Sequence, residues 1–206
     1  MAVVSNGTTI IDAGALGSGV PTGKMILIKT LTASGSGTLD FINGADSVVF
    51  DGTYKEYVFK FINIHPATDS ADLTFQVDTG TNTNYNQTIT STVFRAEVRE
   101  DAADAKVIYD TNLDQAQGTA FQQIQHDIGN DADQSAAGTL TLFNPASATF
   151  VKHFIARSQI YYAGDYALDF FVAGYFNTTT ALTKVQFKMS SGNIDSGVIK
   201  LYGIGG

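Results

Sequence analysis

The stretch Tyr54-Lys-Glu-Tyr-Val-Phe-Lys-Phe-Ile-Asn63 decides the fold class of this chain. Tyr57, Phe59 and Phe61 stand at alternate positions in it, with charged residues on the opposite side. Successive side chains of a β-strand point to opposite faces, so this period of two predicts a strand with one buried aromatic face. Full burial of each aromatic ring contributes about 1.5–3 kcal/mol, enough for this face to anchor a core.

The same strand pattern recurs along the chain, between loops rich in Gly, Asn, Asp and Ser. The predicted strands, besides the one above, cover residues 8–12, 25–31, 38–42, 47–50, 73–77, 92–99, 106–109, 139–144, 151–160, 167–175, 184–189 and 198–202. No repeat of fixed period is present, which argues against a propeller or a β-helix. The pattern predicts an all-β fold, an antiparallel sandwich or barrel.

Four segments carry more specific expectations. The nearly continuous apolar run 25–31 predicts a strand covered on both faces, and the pair Asn43-Gly44 predicts a hairpin between strands 38–42 and 47–50. Segment 92–99 alternates apolar with charged residues and predicts a strand with an apolar inside and a polar outside. Segment 115–128 has helical as well as strand spacing, and its setting favours a short strand.

The length of 206 residues suits one domain with an extension. Residues 1–23 form a predicted N-terminal arm and Gly-rich linker, and residues 24–206 a β-sandwich domain. The arm is either a disordered leader or a segment that lies on a neighbouring subunit and is ordered only in the assembly.

Composition and charge exclude several classes of function. The net charge of −8 provides no positive footprint for nucleic acid and disfavours anionic membrane surfaces. The chain has no cysteine, so it has neither disulfides nor thiolate metal sites. No signal peptide and no membrane helix are predicted. Only 16% of the residues are charged, which is typical of surfaces that contact neighbouring subunits.

No catalytic, cofactor or metal site is predicted. His65, His126 and His153 show no ligand spacing, and no nucleophile elbow or phosphate-binding loop is present. The best metal candidate is the oxygen-rich segment Asp127-Ile-Gly-Asn-Asp-Ala-Asp133, since calcium prefers oxygen ligands. This segment lacks the EF-hand order, and an ordinary Asp/Asn-rich turn is the favoured interpretation.

An aromatic-dense strand–loop–strand provides the candidate interaction residues. They are Tyr161, Tyr162, Tyr166, Phe170 and Phe171. Aromatic rings with polar tips suit protein interfaces and sugar stacking alike. Packing between subunits is the favoured interpretation, and a glycan platform is the alternative.

Three segments together resemble small virion structural proteins of tailed bacteriophages, especially those of marine bacteria and cyanobacteria. These segments are 53–69, 151–158 and Val185-Gln-Phe-Lys-Met-Ser-Ser-Gly-Asn-Ile-Asp-Ser-Gly-Val-Ile-Lys-Leu-Tyr-Gly203. The resemblance implies a jelly-roll-like β-sandwich in a fibre, knob or decoration subunit of the virion. It also implies a closing hairpin, for which Gly192-Asn193 and Ser196-Gly197 supply turn residues.

The leading hypothesis is therefore a non-enzymatic virion subunit, assembled in the host cytoplasm, which forms a homotrimer and binds other virion proteins. The alternative is a module of a tail fibre that binds a host receptor or carbohydrate. An enzyme such as a depolymerase is supported only by the abundance of Asp, since nothing singles out a carboxylate pair.

Overall fold

The structure, a computed structural model, describes residues 2–5, 7–12, 15–16 and 25–205. Within these ranges the regular secondary structure consists of β-strands, and no helix is long and apolar enough to cross a membrane. The strands are β1 Val3–Ser5, β2 Thr8–Asp12, β3 Ala15–Leu16, β4 Met25–Ser36, β5 Leu39–Ile42, β6 Glu56–Pro66, β7 Ala71–Thr79, β8 Ile89–Arg99, β9 Ala105–Tyr109, β10 Ala116–Gly118, β11 Gln122–Ile128, β12 Ala136–Phe143, β13 Lys152–Tyr162, β14 Tyr166–Phe176, β15 Leu182–Met189 and β16 Ile194–Ile204.

Eight of these strands form two antiparallel four-stranded sheets in jelly-roll order. One sheet has the order β4-β16-β6-β12, and the other has the order β5-β15-β7-β11. The chain changes sheet from β4 to β5, from β5 to β6 and from β6 to β7, and it changes again between β11 and β12 and between β15 and β16. Two interlocked Greek keys of eight strands define a jelly roll. The predicted all-β, antiparallel jelly-roll-like sandwich is confirmed.

Two connections of the jelly roll carry extra strands that widen the first sheet. Strands β8, β9 and β10 lie between β7 and β11, and β13 and β14 lie between β12 and β15. They continue the first sheet beyond β12 in the order β13-β14-β8-β9, which we call the extension, and β10 pairs with β8. The pairing of Ile128 in β11 with Tyr162 in β13 joins the two sheets at one corner.

The core lies between the two sheets and is largely aromatic. Tyr57, Phe59 and Phe61 of β6 are at most 2% exposed, which confirms the predicted central strand. Phe187 of β15 approaches Phe59 and Phe61 from the other sheet, with ring centroids 5.2 Å and 5.4 Å away. Edge-to-face aromatic contacts of this kind add about 0.5–1.5 kcal/mol to the burial of their area.

The apolar run that begins at Met25 is exposed, contrary to the expectation of cover on both faces. Among the described residues, β4 is an edge strand that pairs only with β16, and these residues leave its start uncovered. Met25 and Leu27 are 42% and 52% exposed. The sequence signal for a doubly covered strand was wrong because it measures hydrophobicity and not position in the sheet.

The predicted hairpin at Asn43-Gly44 is wrong in its second strand. Residues 48–50 follow the turn without strand structure, although Val48 and Phe50 are 2% exposed and belong to the core. The Phe50 amide donates to the side-chain Oδ1 of Asn43 at 2.7 Å. Asn43 therefore holds this segment as a buried loop instead of a ladder strand.

The predicted closing hairpin is also wrong. Strands β15 and β16 lie in different sheets, so the turn at Gly192 carries the chain across the sandwich. Ser196 and Gly197 lie inside β16, where the register with β6 shifts. Turn residues indicate where a strand ends, but they do not tell whether the next strand pairs with it.

The remaining predictions to compare with the structure concern the N-terminus and segment 115–128. Strand β2 confirms the predicted strand 8–12, and β10 and β11 confirm strand structure in segment 115–128. Within the described residues, β1 to β3 form a separate sheet without pairing to the other strands. The predicted linker 14–23 lies outside the described residues except for β3.

Truncation of Phe187 tests the aromatic core. We expect Phe187→Ala to lower the free energy of unfolding by about 3–5 kcal/mol, because it leaves a cavity between the two sheets. Phe150, which is 67% exposed, is the matched control, and Phe150→Ala should change stability by less than about 0.5 kcal/mol. Urea unfolding measures both, and equal losses would contradict this account of the core.

Candidate functional site

An exposed aromatic row crosses the outer face of the extension. Tyr109, Phe94, Phe171 and Arg157 are direct cross-strand neighbours on β9, β8, β14 and β13. The Phe94 and Phe171 rings stack with centroids 4.6 Å apart, and the Arg157 guanidinium lies 4.7 Å from the Phe171 centroid. Phe94 and Tyr109 are 44% and 53% exposed. The row presents flat aromatic surface to solvent.

Aliphatic side chains extend this row into a continuous surface. Val98, Val107 and Ile155 are 44%, 76% and 55% exposed. Beside Ile155 lies an open, mostly apolar groove of about 450 Å³ that also involves Thr92 and Tyr175. We call the following residues the outer apolar face: Phe94, Val98, Val107, Tyr109, Ile155 and Phe171.

The inner face of β8 carries an ion cluster, which reverses the predicted inside and outside of this strand. Arg95 binds Glu97 at 2.9 Å and Asp110 at 2.7 Å, and Lys106 binds Glu97 at 3.0 Å. The side chains of Arg95, Glu97 and Asp110 are only 16%, 9% and 13% exposed. Alternation therefore separated the faces of β8 correctly, but the charged face points inward.

The charged face of β8 points inward because the part of the other sheet that lies opposite it is polar. Strand β11 ends there with Asp127, whose carboxylate forms a hydrogen bond with the Tyr162 hydroxyl and is attracted by Arg95. Burial raises the pKa of Asp127 and that of Tyr162. A polar surface opposite β8 favours charged partners over apolar ones.

The five sequence-predicted interaction residues fall into three environments. Phe171 belongs to the outer apolar face, and Phe170 is fully buried in the core, so it offers no surface to a partner. Tyr162 and Tyr166 pack edge-to-face at 5.6 Å, and the Tyr166 hydroxyl donates to Asp104 at 3.3 Å. A hydrogen bond to Glu100 raises the pKa of Tyr161.

Tyr161 and Tyr166 line a separate polar cleft of about 240 Å³ at one end of the extension. Glu100, Asp133 and Gln159 are among its other lining residues. The cleft combines tyrosine rings with acceptors and donors of hydrogen bonds. Such a surface suits ligands that carry many hydroxyl groups.

A third group consists of Asp72, His126 and Asp127. The sequence analysis considered His126 and Asp127 separately and did not connect them with Asp72. His126 Nδ1 lies 3.1 Å from Asp72 Oδ1, and His126 Nε2 lies 3.4 Å from Asp127 Oδ2. Asp72 is 54 residues away from His126 in sequence, so no local spacing indicates the group. In segment 127–133, for which an Asp/Asn-rich turn was the favoured interpretation, Gln134 Oε1 accepts from the Asp131 amide at 3.1 Å.

Two arginines with equal ion-pair distances but unequal burial test the ion cluster. Arg95–Asp110 and Arg157–Asp169 both measure 2.7 Å, but Arg157 is 64% exposed. We expect Arg95→Ala to lower the free energy of unfolding by about 2–4 kcal/mol, because it leaves two shielded carboxylates without their guanidinium. Arg157→Ala should leave stability nearly unchanged. Chemical unfolding of both variants is the measurement, and the reverse order would contradict the burial argument.

This chain matches no known protein family, and no curated protein is significantly similar to it in sequence.

Proposed function

We propose that this chain is a non-enzymatic structural subunit that self-associates as a homotrimer on the particle of a tailed bacteriophage. It acts there as a fibre, knob or decoration subunit. The observation that carries the proposal is the outer apolar face, in which Phe94, Val98, Val107 and Ile155 are all between 44% and 76% exposed. The jelly-roll order of the strands and the sequence resemblance described above support it.

An apolar surface of this kind favours cover by another protein. Monomeric proteins rarely expose large contiguous apolar patches, and those that do usually bind something there. Strand β9 makes the requirement stronger, because in the described part of the chain it is the last strand of the extension and pairs only with β8. An uncovered edge strand beside Val107 and Tyr109 is prone to irregular association unless a defined partner occupies it.

A second copy of this chain is the partner that fits best. The chain carries a net charge of −8, so copies repel one another except where contacts are apolar or charge-neutral. The outer apolar face meets this condition, because Arg157 is neutralised by Asp169 at 2.7 Å. In a cyclic trimer the same contact between two copies repeats three times and closes a ring, so no copy is left with an uncovered contact surface.

Attachment to other virion proteins is assigned to the N-terminal segment. Strands β1 to β3 form their own sheet, and Val3 and Val4 are 52% and 56% exposed. A small exposed apolar sheet is unstable alone and gains stability by docking. Under this proposal the subunit is a virion component that is assembled in the host cytoplasm.

Charge introduced into the outer apolar face tests self-association. We expect the unaltered chain to run as a trimer in size-exclusion chromatography with light scattering, and Phe94→Asp with Ile155→Asp to run as a monomer. An unpaired carboxylate in an apolar interface costs several kcal/mol, about a hundredfold or more in affinity. Leu27→Asp is the matched control, because Leu27 is 52% exposed on the opposite edge strand β4. A monomeric unaltered chain at high concentration would refute the proposal.

The polar cleft at Tyr161 supports a second candidate, a carbohydrate- or receptor-binding module of a tail fibre. Its tyrosines and carboxylates, including Tyr166, Glu100 and Asp133, suit the hydroxyls and ring faces of a sugar. The cleft adjoins the outer apolar face, because its lining residue Ala167 pairs with Val98 across β14 and β8.

Glycan binding separates the second candidate from the first. If the cleft binds a glycan, a glycan array should yield at least one binder, and Tyr161→Ala should weaken it about tenfold or more through the lost stacking. Tyr175→Ala is the control, because Tyr175 lines the other, mostly apolar groove. An array without any binder removes this candidate and leaves the structural role untouched.

A further inference from the structure

We propose that His126 and Asp127 bind one divalent metal ion of the zinc class, while Asp72 orients the imidazole ring. One candidate ligand atom from each of these three residues lies within 4.8 Å of the other two. The site lies at the end of β11, on a part of the molecule that self-association does not use. The inference is therefore independent of the proposed function.

The hydrogen-bond capacity of His126 is the first argument. A neutral imidazole has one donor nitrogen and one acceptor nitrogen. In the tautomer with the proton on Nδ1, this nitrogen donates to Asp72 Oδ1 at 3.1 Å and the lone pair of Nε2 is directed at Asp127 Oδ2. A metal ion bound between two electron-pair donors that face each other in this way offsets their repulsion.

The distance between these two atoms is the second argument. His126 Nε2 and Asp127 Oδ2 are 3.4 Å apart, which is longer than an ordinary N–H···O hydrogen bond. Zinc ligands bound at about 2.0–2.1 Å in tetrahedral geometry stand about 3.3–3.4 Å from one another. The two atoms therefore already have the separation of neighbouring ligands.

Asp72 holds the ring as the outer carboxylate of a metal-bound histidine does. A histidine that binds zinc almost always donates its other ring nitrogen to a carboxylate or a carbonyl, which fixes its orientation. Asp72 is 8% exposed, and its Oδ1 also accepts from the Asp127 amide at 2.9 Å. The Asp72 amide donates to the hydroxyl oxygen of Ser190, the residue after β15, at 2.9 Å, which fixes the backbone of Asp72.

The local charge leaves room for a cation. Among the described residues, the salt bridges bring no lysine or arginine to Asp72 or Asp127. Arg95, the arginine that acts electrostatically on Asp127, is already bound by Glu97 and Asp110. The Asp127 side chain is 28% exposed, so water and a metal ion can reach it.

The ligand chemistry selects the class of metal. Imidazole nitrogen together with a carboxylate suits zinc, cobalt and related ions, whereas calcium takes about six to eight oxygen ligands. Water completes the coordination. The site adjoins Ile128, whose pairing with Tyr162 joins the two sheets, so bound metal should also stabilise that corner of the sandwich.

Titration of the chelator-treated full chain with Co²⁺ and Zn²⁺ is the test. We expect one Co²⁺ per chain, with visible absorption bands of low-coordinate cobalt that Zn²⁺ abolishes, and a higher melting temperature with Zn²⁺. Asp127→Asn and His126→Ala should lose this binding, and Asp72→Asn should weaken it about 10–100-fold. Asp127 has a φ of 44°, a conformation that Asn tolerates well, so Asp127→Asn should retain the fold.

Two controls make the result decisive. His65→Gln should bind metal like the unaltered chain, because His65 contacts a different carboxylate, that of Asp195, at 3.6 Å. Asp131→Asn should do the same, since Asp131 belongs to the neighbouring turn. Absence of stoichiometric binding to the unaltered chain overturns the proposal and leaves a proton as the cation shared by His126 and Asp127. Equal binding by Asp127→Asn overturns it as well.

Discussion

The packing of Phe187 against aromatic rings of β6 and β7 is the interaction on which the rest of the structure depends. Its ring centroid lies within 6.2 Å of those of Phe59, Phe61 and Phe75. These contacts hold the smaller sheet over the jelly-roll part of the larger sheet. The smaller sheet consists of β5, β15, β7 and β11. Its cover includes β13 and β14, where Phe154 and Phe170 are at most 1% exposed, and gives way to ion pairs at Arg95 of β8.

This limited cover explains the chemistry of the extension. Among the described residues the smaller sheet ends at β11, so the part of β8 that carries Arg95 and Glu97 meets the polar end of β11 and forms ion pairs. The apolar side chains that alternate with them, Phe94 and Val98, then face outward. The ion cluster and the outer apolar face are thus two results of one difference in width between the sheets.

Sequence periodicity predicted the strands well and their surroundings less well. The alternation of Tyr57, Phe59 and Phe61 marks an inner face, because only apolar residues occupy it and charge stands opposite. In segment 92–99 the same alternation gave two faces but could not say which one the second sheet would cover. The period is a local property, whereas cover depends on strands distant in the chain.

Prediction of the candidate sites was limited in the same way, because local sequence does not show which distant residues come together. Tyr161 and Phe171 stood out as aromatic residues, and both lie at the surface regions described above. The group around His126 left no signal, because Asp72 reaches it only through the pairing of β7 with β11. The glycine and asparagine pairs near Gly192 marked an end of a strand, but the crossing to the other sheet follows from topology.

The position of β16 has a consequence for biosynthesis. This strand, which ends at Ile204, is inserted between β4 and β6, so the first sheet has a gap in its middle until its last strand arrives. While the chain emerges from the ribosome, the inner edges of β4 and β6 remain open, with apolar side chains such as Phe61 beside them. Pairing of these two edges therefore has to wait until β16 has been synthesised, a delay that prolongs their exposure to irregular association.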